Sequence, residues 1–485
     1  MYEELLDAVI GNDVERAEDL LRRGTPADPA GEGDSTALYR AATGGRTEIV
    51  RALLAAGADP DRLSGGADEG LPLCAAAAWG RTGAVEALLA AGADPAGRES
   101  HGWTAVLWAA ANGHATTLET LLSAGAPAED ATDGGTTALT LAVRRGALGA
   151  VRALLAAGAD PARPDGEGDT PLAIAYDWLG TQLESALLDQ IADQVKEDSH
   201  VVVGRTRAED GTDLVTVTVL DADGDPGFEV QCQRGHAAIA TLLEEATGEL
   251  PSFDELAERA LPYRDLDEEA ETWWTVAGSL QQRGDRETFE AAIRACAAED
   301  PRRREFAVDV LSQFGFTEGG KPFLEESLPV LRRMAATEGD ERVLRSVLGA
   351  LGHHADPRAL PEVLEIITSD DWTRTESDPA ALAAVLPPGH ADGLALLISM
   401  TEDPDDDVRD WATLSLAGLE QDTPQIREAL AARLDDEDLT TVAEAARGLA
   451  ARGDARARAG IERVLAESDD EYARDIVEGL RPLPG

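Results

Sequence analysis

Apolar residues in the first two fifths of the chain recur in short helical stripes, each closed by a glycine. LLAAGADP occurs at 53–60, 88–95 and 154–161, with LLSAGAP at 121–127 and a worn LLRRGTP at 20–26. The closing glycines Gly24, Gly57, Gly92, Gly125 and Gly158 lie 33, 35, 33 and 33 residues apart. A second marker keeps the same beat: Thr36-Ala-Leu, Leu71-Pro-Leu, Thr104-Ala-Val, Thr137-Ala-Leu and Thr170-Pro-Leu. Each beat predicts two helices. The first is short, with small residues such as Ala41 and Ala42 that let a neighbour approach. The second carries a stripe such as Ile49, Val50, Leu53 and Leu54. One unit cannot bury its own apolar face, so the copies must stack into a solenoid.

The pattern changes twice after that. HVVVGRTR, LVTVTVL and FEVQCQ are short β-branched runs separated by EDGTD and DADGDPG, which read as turns. GHAAIATLLEEATG then reads as a helix, so 199–248 is expected to be a small α+β insert. From about residue 270 amphipathic helices return, introduced by acidic turns such as Asp300-Pro, Gly339-Asp, Asp356-Pro, Asp403-Pro and Asp469-Asp. Aspartate at a helix start caps orphan N–H groups, and proline just inside the start has no donor to lose. Residues 372–390, with Pro387-Pro-Gly, break this pattern and are expected to form an irregular loop.

The N-terminal beat resembles the ankyrin repeat family, over 1–194 as six units. The sixth, TPLAIAYDWLGTQLESALLDQIA, has lost the closing Gly-Ala. The family's consensus histidine is replaced by Tyr39, Cys74, Leu107, Thr140 and Ala173, which removes its usual bonds between units and implies a looser stack. The C-terminal text, best at 403–438 with Asp407-Val-Arg409, is similar to HEAT repeats. The expected architecture is therefore mainly α: an ankyrin-like solenoid over 1–195, an α+β connecting module over 196–268, and a HEAT-like α-solenoid over 269–485.

Composition adds a sign. Against 93 acidic residues stand 42 basic ones, giving a formal charge of −51, with only Lys196 and Lys321 as lysines. Such a surface repels nucleic-acid phosphates and anionic membranes, so neither is an expected partner. Basic proteins are favoured. Cys74, Cys232 and Cys296 are few and far apart, which suits a reducing cytoplasm. The N-terminus lacks a secretory pattern, and no run of about 18 apolar residues occurs.

Candidate chemistry is sparse. The turn Asp221-Ala-Asp223-Gly-Asp225 lacks the glycine and glutamate that a calcium loop needs, so a hairpin is expected. The histidines are scattered without metal-ligand spacing, and no nucleophile elbow or phosphate loop occurs. No cofactor, metal or catalytic residue is expected, and the chain reads as non-catalytic. The ankyrin resemblance implies binding through a concave face. That face maps to Trp79, Asn112, Arg144 and Arg145, to His101, Trp103 and Asp169 at the hairpin tips, and to Asp177 and Trp178 in the last unit. The leading expectation is a protein-binding scaffold. The alternative is a toxin-neutralising or nuclease-blocking protein that sets its acidic surface against a basic partner. Oligomeric state is not legible.

Overall fold

A computed structural model of the chain describes residues 1–28, 35–65, 69–195, 199–221, 224–264, 271–316 and 320–480. It is mainly helical and divides into two compact units, Met1–Ser279 and Leu280–Gly485. The boundary expected at 268 lies outside the described residues. No helix among those described is long and apolar enough to cross a membrane.

In the first unit the two sequence markers have separate jobs. The threonines of the Thr-x-Leu marker stand just before the first helices. Thr36, Thr104, Thr137 and Thr170 accept hydrogen bonds from the N–H groups three residues on, satisfying a donor the helix cannot. The closing glycines have φ between +88° and +93°, and their surroundings leave room for a Cβ. The demand for glycine there is conformational, since other residues are strained in the left-handed region. Units are also tied by carboxylates: the N–H of Asp59 donates to Asp28, that of Asp94 to Asp61, and that of Asp160 to Glu129. This ladder supplies bonds between units that lack the consensus histidine.

The sixth unit corrects the sequence reading. Its first helix, Pro171–Asp177, stacks on the fifth unit's first helix, Ala138–Arg145. The next helix, Leu183–Ile191, does not pair with it. Leu183, Leu187 and Ile191 instead cover a three-stranded antiparallel sheet, packing on Val215, Val217, Val219 and Cys232. The strands β1 (His200–Arg207), β2 (Asp213–Leu220) and β3 (Pro226–Gln233) lie in sequence order. The partner of Pro171–Asp177 is the later helix His236–Thr247. It packs on that helix and on Leu148–Ala156, and its Ala238, Ile239, Ala240 and Leu243 join the ankyrin core. It ends at Gly248 with φ +80°, as the earlier second helices end at theirs.

Gly235-His236 therefore takes the part that Gly113-His114 plays two units earlier. The Gly235 N–H donates to the Gly146 carbonyl. The His236 ring faces the Val143 and Arg144 carbonyls, as His114 faces that of Ala78. Burial pushes the His236 ring down to about 4, so it is neutral near pH 7. Residues 179–234 are thus an insertion in the turn between the two helices of one ankyrin unit. Trp178 and His236, on either side of it, stack with ring centroids 4.8 Å apart.

β2 and β3 pair antiparallel, and between them the Asp225 N–H donates to Asp221; residues 222 and 223 lie outside the described residues. Trp273 is fully buried with the Arg264 guanidinium 5.4 Å from its ring, while its neighbour Trp274 is exposed.

In the second unit the helices Pro301–Gln313, Glu341–His354, Ser377–Val385, Asp406–Gly418, Leu439–Ala451 and Glu471–Glu478 stack in one row, each next to a partner helix. Asp300, Asp340, Asp356, Asp405, Asp438 and Asp470 accept bonds from the N–H groups that follow them. Arg304 of the triple-arginine run makes two bonds of 2.8 and 2.9 Å to Glu338 in the adjacent repeat. The loop expected over 372–390 contains the helix Ser377–Val385, an ordinary member of the row. Pro379 sits in its first turn, where a missing N–H costs nothing. Asp378 steadies the entry by accepting from the Trp372 indole N–H at 2.7 Å.

Candidate protein-binding face

The first helices of units two to six present equivalent positions in register. Four residues after each marker stand Arg40, Ala75, Trp108, Leu141 and the buried Ile174. Seven after stand Thr43, Ala78, Ala111, Arg144 and Asp177. The centre of this face is apolar. Trp103, from the hairpin before the fourth unit, stacks on Trp108 with centroids 4.2 Å apart. The Trp108 indole N–H donates to Glu99 at 2.9 Å. Glu99 in turn accepts the Leu71 N–H at 2.6 Å, which fixes the tryptophan pair to the preceding unit.

Charged clusters bound the centre on both sides. Arg40 meets Glu69, with Ser35 and Ser64 bonded to the same carboxylate. Arg144 meets Asp165 at 2.7 Å, Glu167 at 3.3 Å and Asp169 at 4.0 Å. Burial opposes ionisation of Asp165. The Arg144 guanidinium and the N–H groups of Asp169 and Glu167 outweigh it and hold the carboxyl below its ordinary range. Asp165, Glu167 and Asp169 could by spacing hold a cation. Arg144 already supplies the positive charge among them.

The nine residues expected at this face divide. Trp79 is 59% exposed. His101 is exposed at its hairpin tip with φ +60°, and Asp169 and Asp177 are also exposed. Trp103 is half-buried in the tryptophan stack, and Arg144 anchors the acidic cluster. Asn112 is half-buried and donates to the Trp108 carbonyl at 3.0 Å. Arg145 and Trp178 face the inserted module. Arg145 donates to the Gln231 carbonyl and side chain, burial pushes its guanidinium down, and Trp178 packs against the module's core of Leu183, Leu187, Val215, Val217 and Cys232. Both therefore hold the insertion in place. Sequence reasoning missed Trp108, Glu99 and Asp165. Only the position of Trp108, four residues after Thr104 in line with Arg40, pointed to it.

Comparison with known proteins finds repeat families in the N-terminal and C-terminal regions. The family model of ankyrin repeats matches in three copies, at residues 5–99, 73–165 and 106–196, and that of HEAT repeats matches at 394–481. The chain is 26% identical to Protein YibA of Escherichia coli strain K12 over 203 residues, covering 41% of this chain and 68% of that protein; the O157:H7 protein matches equally. A crystal structure of an ankyrin repeat domain from Acinetobacter baumannii AYE is 31% identical, with a TM-score of 0.34, over 36% of this chain and 92% of that one. The chain thus carries ankyrin repeats in its N-terminal region and HEAT repeats in its C-terminal region, and ankyrin repeats imply a role in protein–protein interaction.

Proposed function

We propose that this chain is a non-catalytic, cytoplasmic interaction protein that captures a protein partner on the face of its first ankyrin helices. The observations that carry this reading are the exposed Trp79 and the Trp103–Trp108 stack, with the Arg40 and Arg144 clusters on first helices of the units to either side. An apolar centre with a charged rim is the anatomy of an interface, and tryptophan and arginine most often carry its energy. The three separate, buried thiols suit a reducing compartment. Replacing Trp79, Trp103 and Arg144 together by alanine is expected to weaken capture of the partner at least a hundredfold, about 3 kcal/mol. The helical circular dichroism should be unchanged. Undiminished capture by the folded triple variant would remove this face from consideration.

A second reading, neutralisation of a basic toxin or nuclease by the acidic HEAT surface, is favoured by one residue. Burial, with Asp438, Glu444 and Asp407 nearby, pushes the Asp410 carboxyl up to about 6. Beyond that burial, the three neighbouring carboxylates gather acid at this point of the HEAT row. On that reading the affinity falls by roughly tenfold or more between 50 and 500 mM salt. An affinity that holds constant over that range excludes it.

A further inference from the structure

We propose that the cavity at the C-terminal end of the ankyrin stack is a docking site for an arginine side chain of the protein partner. The proposal rests on the protein-binding reading, and adds to it a second place of contact and the residue that enters it. Six residues after each marker the first helices carry Ala42, Ala77, Ala110 and Val143, all fully buried in the stack. The last unit has Tyr176 at that position, 40% exposed. Past Gly248 the chain turns through Glu249-Leu250-Pro251 into the helix Phe253–Ala260, which packs on His236–Thr247 and leaves Tyr176 partly uncovered. A cavity of about 480 Å³ lies there, lined by Tyr176, by this turn, by Glu244, and by Glu255 and Arg259 of the new helix. Leu250 on its wall is 69% exposed.

The three carboxylates on the wall differ in what they have left to offer. Glu244 is spent: Arg259 donates to it at 2.6 and 2.7 Å, and the Tyr176 hydroxyl donates at 2.7 Å. Burial and that bond, with Glu249 nearby, push the Tyr176 phenol up to about 12, so it keeps its proton and its ring stays fixed at the wall. Glu255 accepts from the Ser252 N–H and hydroxyl. These donors are neutral, so they position the carboxylate without cancelling its charge. The Glu249 carboxylate is exposed and has no hydrogen bond or ion pair among the described residues. Arg259, the cation on the wall, is taken by Glu244, which leaves two negative charges beside an aromatic ring and an exposed leucine. That combination selects a cation on an apolar stem. Arginine and lysine both lay their stems on apolar surface. A guanidinium in addition stacks on an aromatic ring and forks onto a carboxylate, which a strongly hydrated ammonium does not. The chain's formal charge of −51 makes a basic partner, and not a second copy, the source of that side chain.

The probe is a synthetic peptide, GLRLG with both ends blocked, added to the full chain in about 150 mM salt and followed through the leucine methyl signals in NMR. The peptide is expected to shift the Leu250 methyls saturably. A peptide with lysine in place of its arginine carries the same charge and should bind roughly threefold more weakly or worse. The double variant Glu249→Gln and Glu255→Gln should weaken binding by about tenfold or more. Glutamine also serves at the third position of a capping box, so the helix Phe253–Ala260 keeps its start. Tyr176→Leu keeps the bulk and removes the ring, and should cost roughly threefold. The triple alanine variant at Trp79, Trp103 and Arg144 should bind the peptide as the unaltered chain does, so this site and the capture face fail separately. Equal binding of the lysine peptide would reduce the effect to general attraction by an acidic chain and overturn the proposal. So would indifference to the double variant, shifts confined to methyls away from Leu250, or no saturable shift at about 10 mM peptide. Free arginine competing as well as the peptide would give the cavity to a small guanidinium compound and overturn it too.

Discussion

Deleting residues 179–234 from the full chain is expected to leave the ankyrin array closed, whereas deleting 199–248 is expected to open it. The sequence periodicity alone argues for the reverse. It assigns Leu183–Ile191 to the sixth unit and treats 199–248 as a separable insert. In the structure the first deletion joins Trp178 to Gly235, which recreates the order Asn112-Gly113-His114 seen in the fourth unit. His236 then keeps its carbonyl partners, and the helix His236–Thr247 keeps its place on Pro171–Asp177. The second deletion removes that helix. Ile239 and Leu243 are fully buried, and the loss of each costs about 1.5–3 kcal/mol. It also removes Glu244, which accepts the Tyr176 hydroxyl at 2.7 Å and two bonds from Arg259 at 2.6 and 2.7 Å. Amide exchange over 138–177 measures the difference. Its opening free energy should fall by roughly 4 kcal/mol in the second variant and by about 1 kcal/mol or less in the first. Equal losses in the two variants would end the split-unit reading.

The reason the split escaped the sequence is physical and local. Gly235-His236 and Gly248 carry the same requirements as the other units: a turn that leaves room for close approach, and a left-handed closing residue. The text GHAAIATLLEEATG states those requirements as openly as its neighbours do. A fixed period cannot register it, because the insertion moves it out of beat while Leu183–Ile191 offers an amphipathic helix at the expected distance. The five earlier units were legible because each glycine and threonine answers to its own backbone and needs no tertiary partner to be recognised. The helix Ser377–Val385 was hidden differently. Its start relies on buried Asp378, bonded to Trp372 and Thr375, a tertiary arrangement with no sequence spacing. The binding face falls between these cases. The exposure of Trp79 followed from repeat position, but the turning of Arg145 and Trp178 toward the module could follow only from knowing where β3 lies.

Arg452→Ala is expected to loosen the C-terminal HEAT repeats more than loss of any surface arginine. Helix ends leave carbonyls without intrahelical partners, and several repeats here rely on short turns to meet them. Arg452 meets them with one guanidinium. It donates to the carbonyls of Leu416, Ala417 and Leu419 at the end of the helix Asp406–Gly418, to that of Gln421 in the following turn, and to that of Gly448 in its own helix. Burial pushes this guanidinium down, yet its planar fork satisfies groups that water reaches poorly. Removing it leaves those acceptors unpaired, at about 1–3 kcal/mol for a buried group. The opening free energy of 406–418 and 439–451, read by hydrogen exchange, should therefore fall by roughly 2–4 kcal/mol. Arg452→Lys should recover only part of this, since an ammonium cannot span carbonyls from both helices in one plane. Arg458, exposed on the next helix, supplies the comparison: its alanine variant should change stability by about 0.5 kcal/mol or less. If Arg452→Ala and Arg458→Ala behave alike, the carbonyl cluster is held by something other than this side chain.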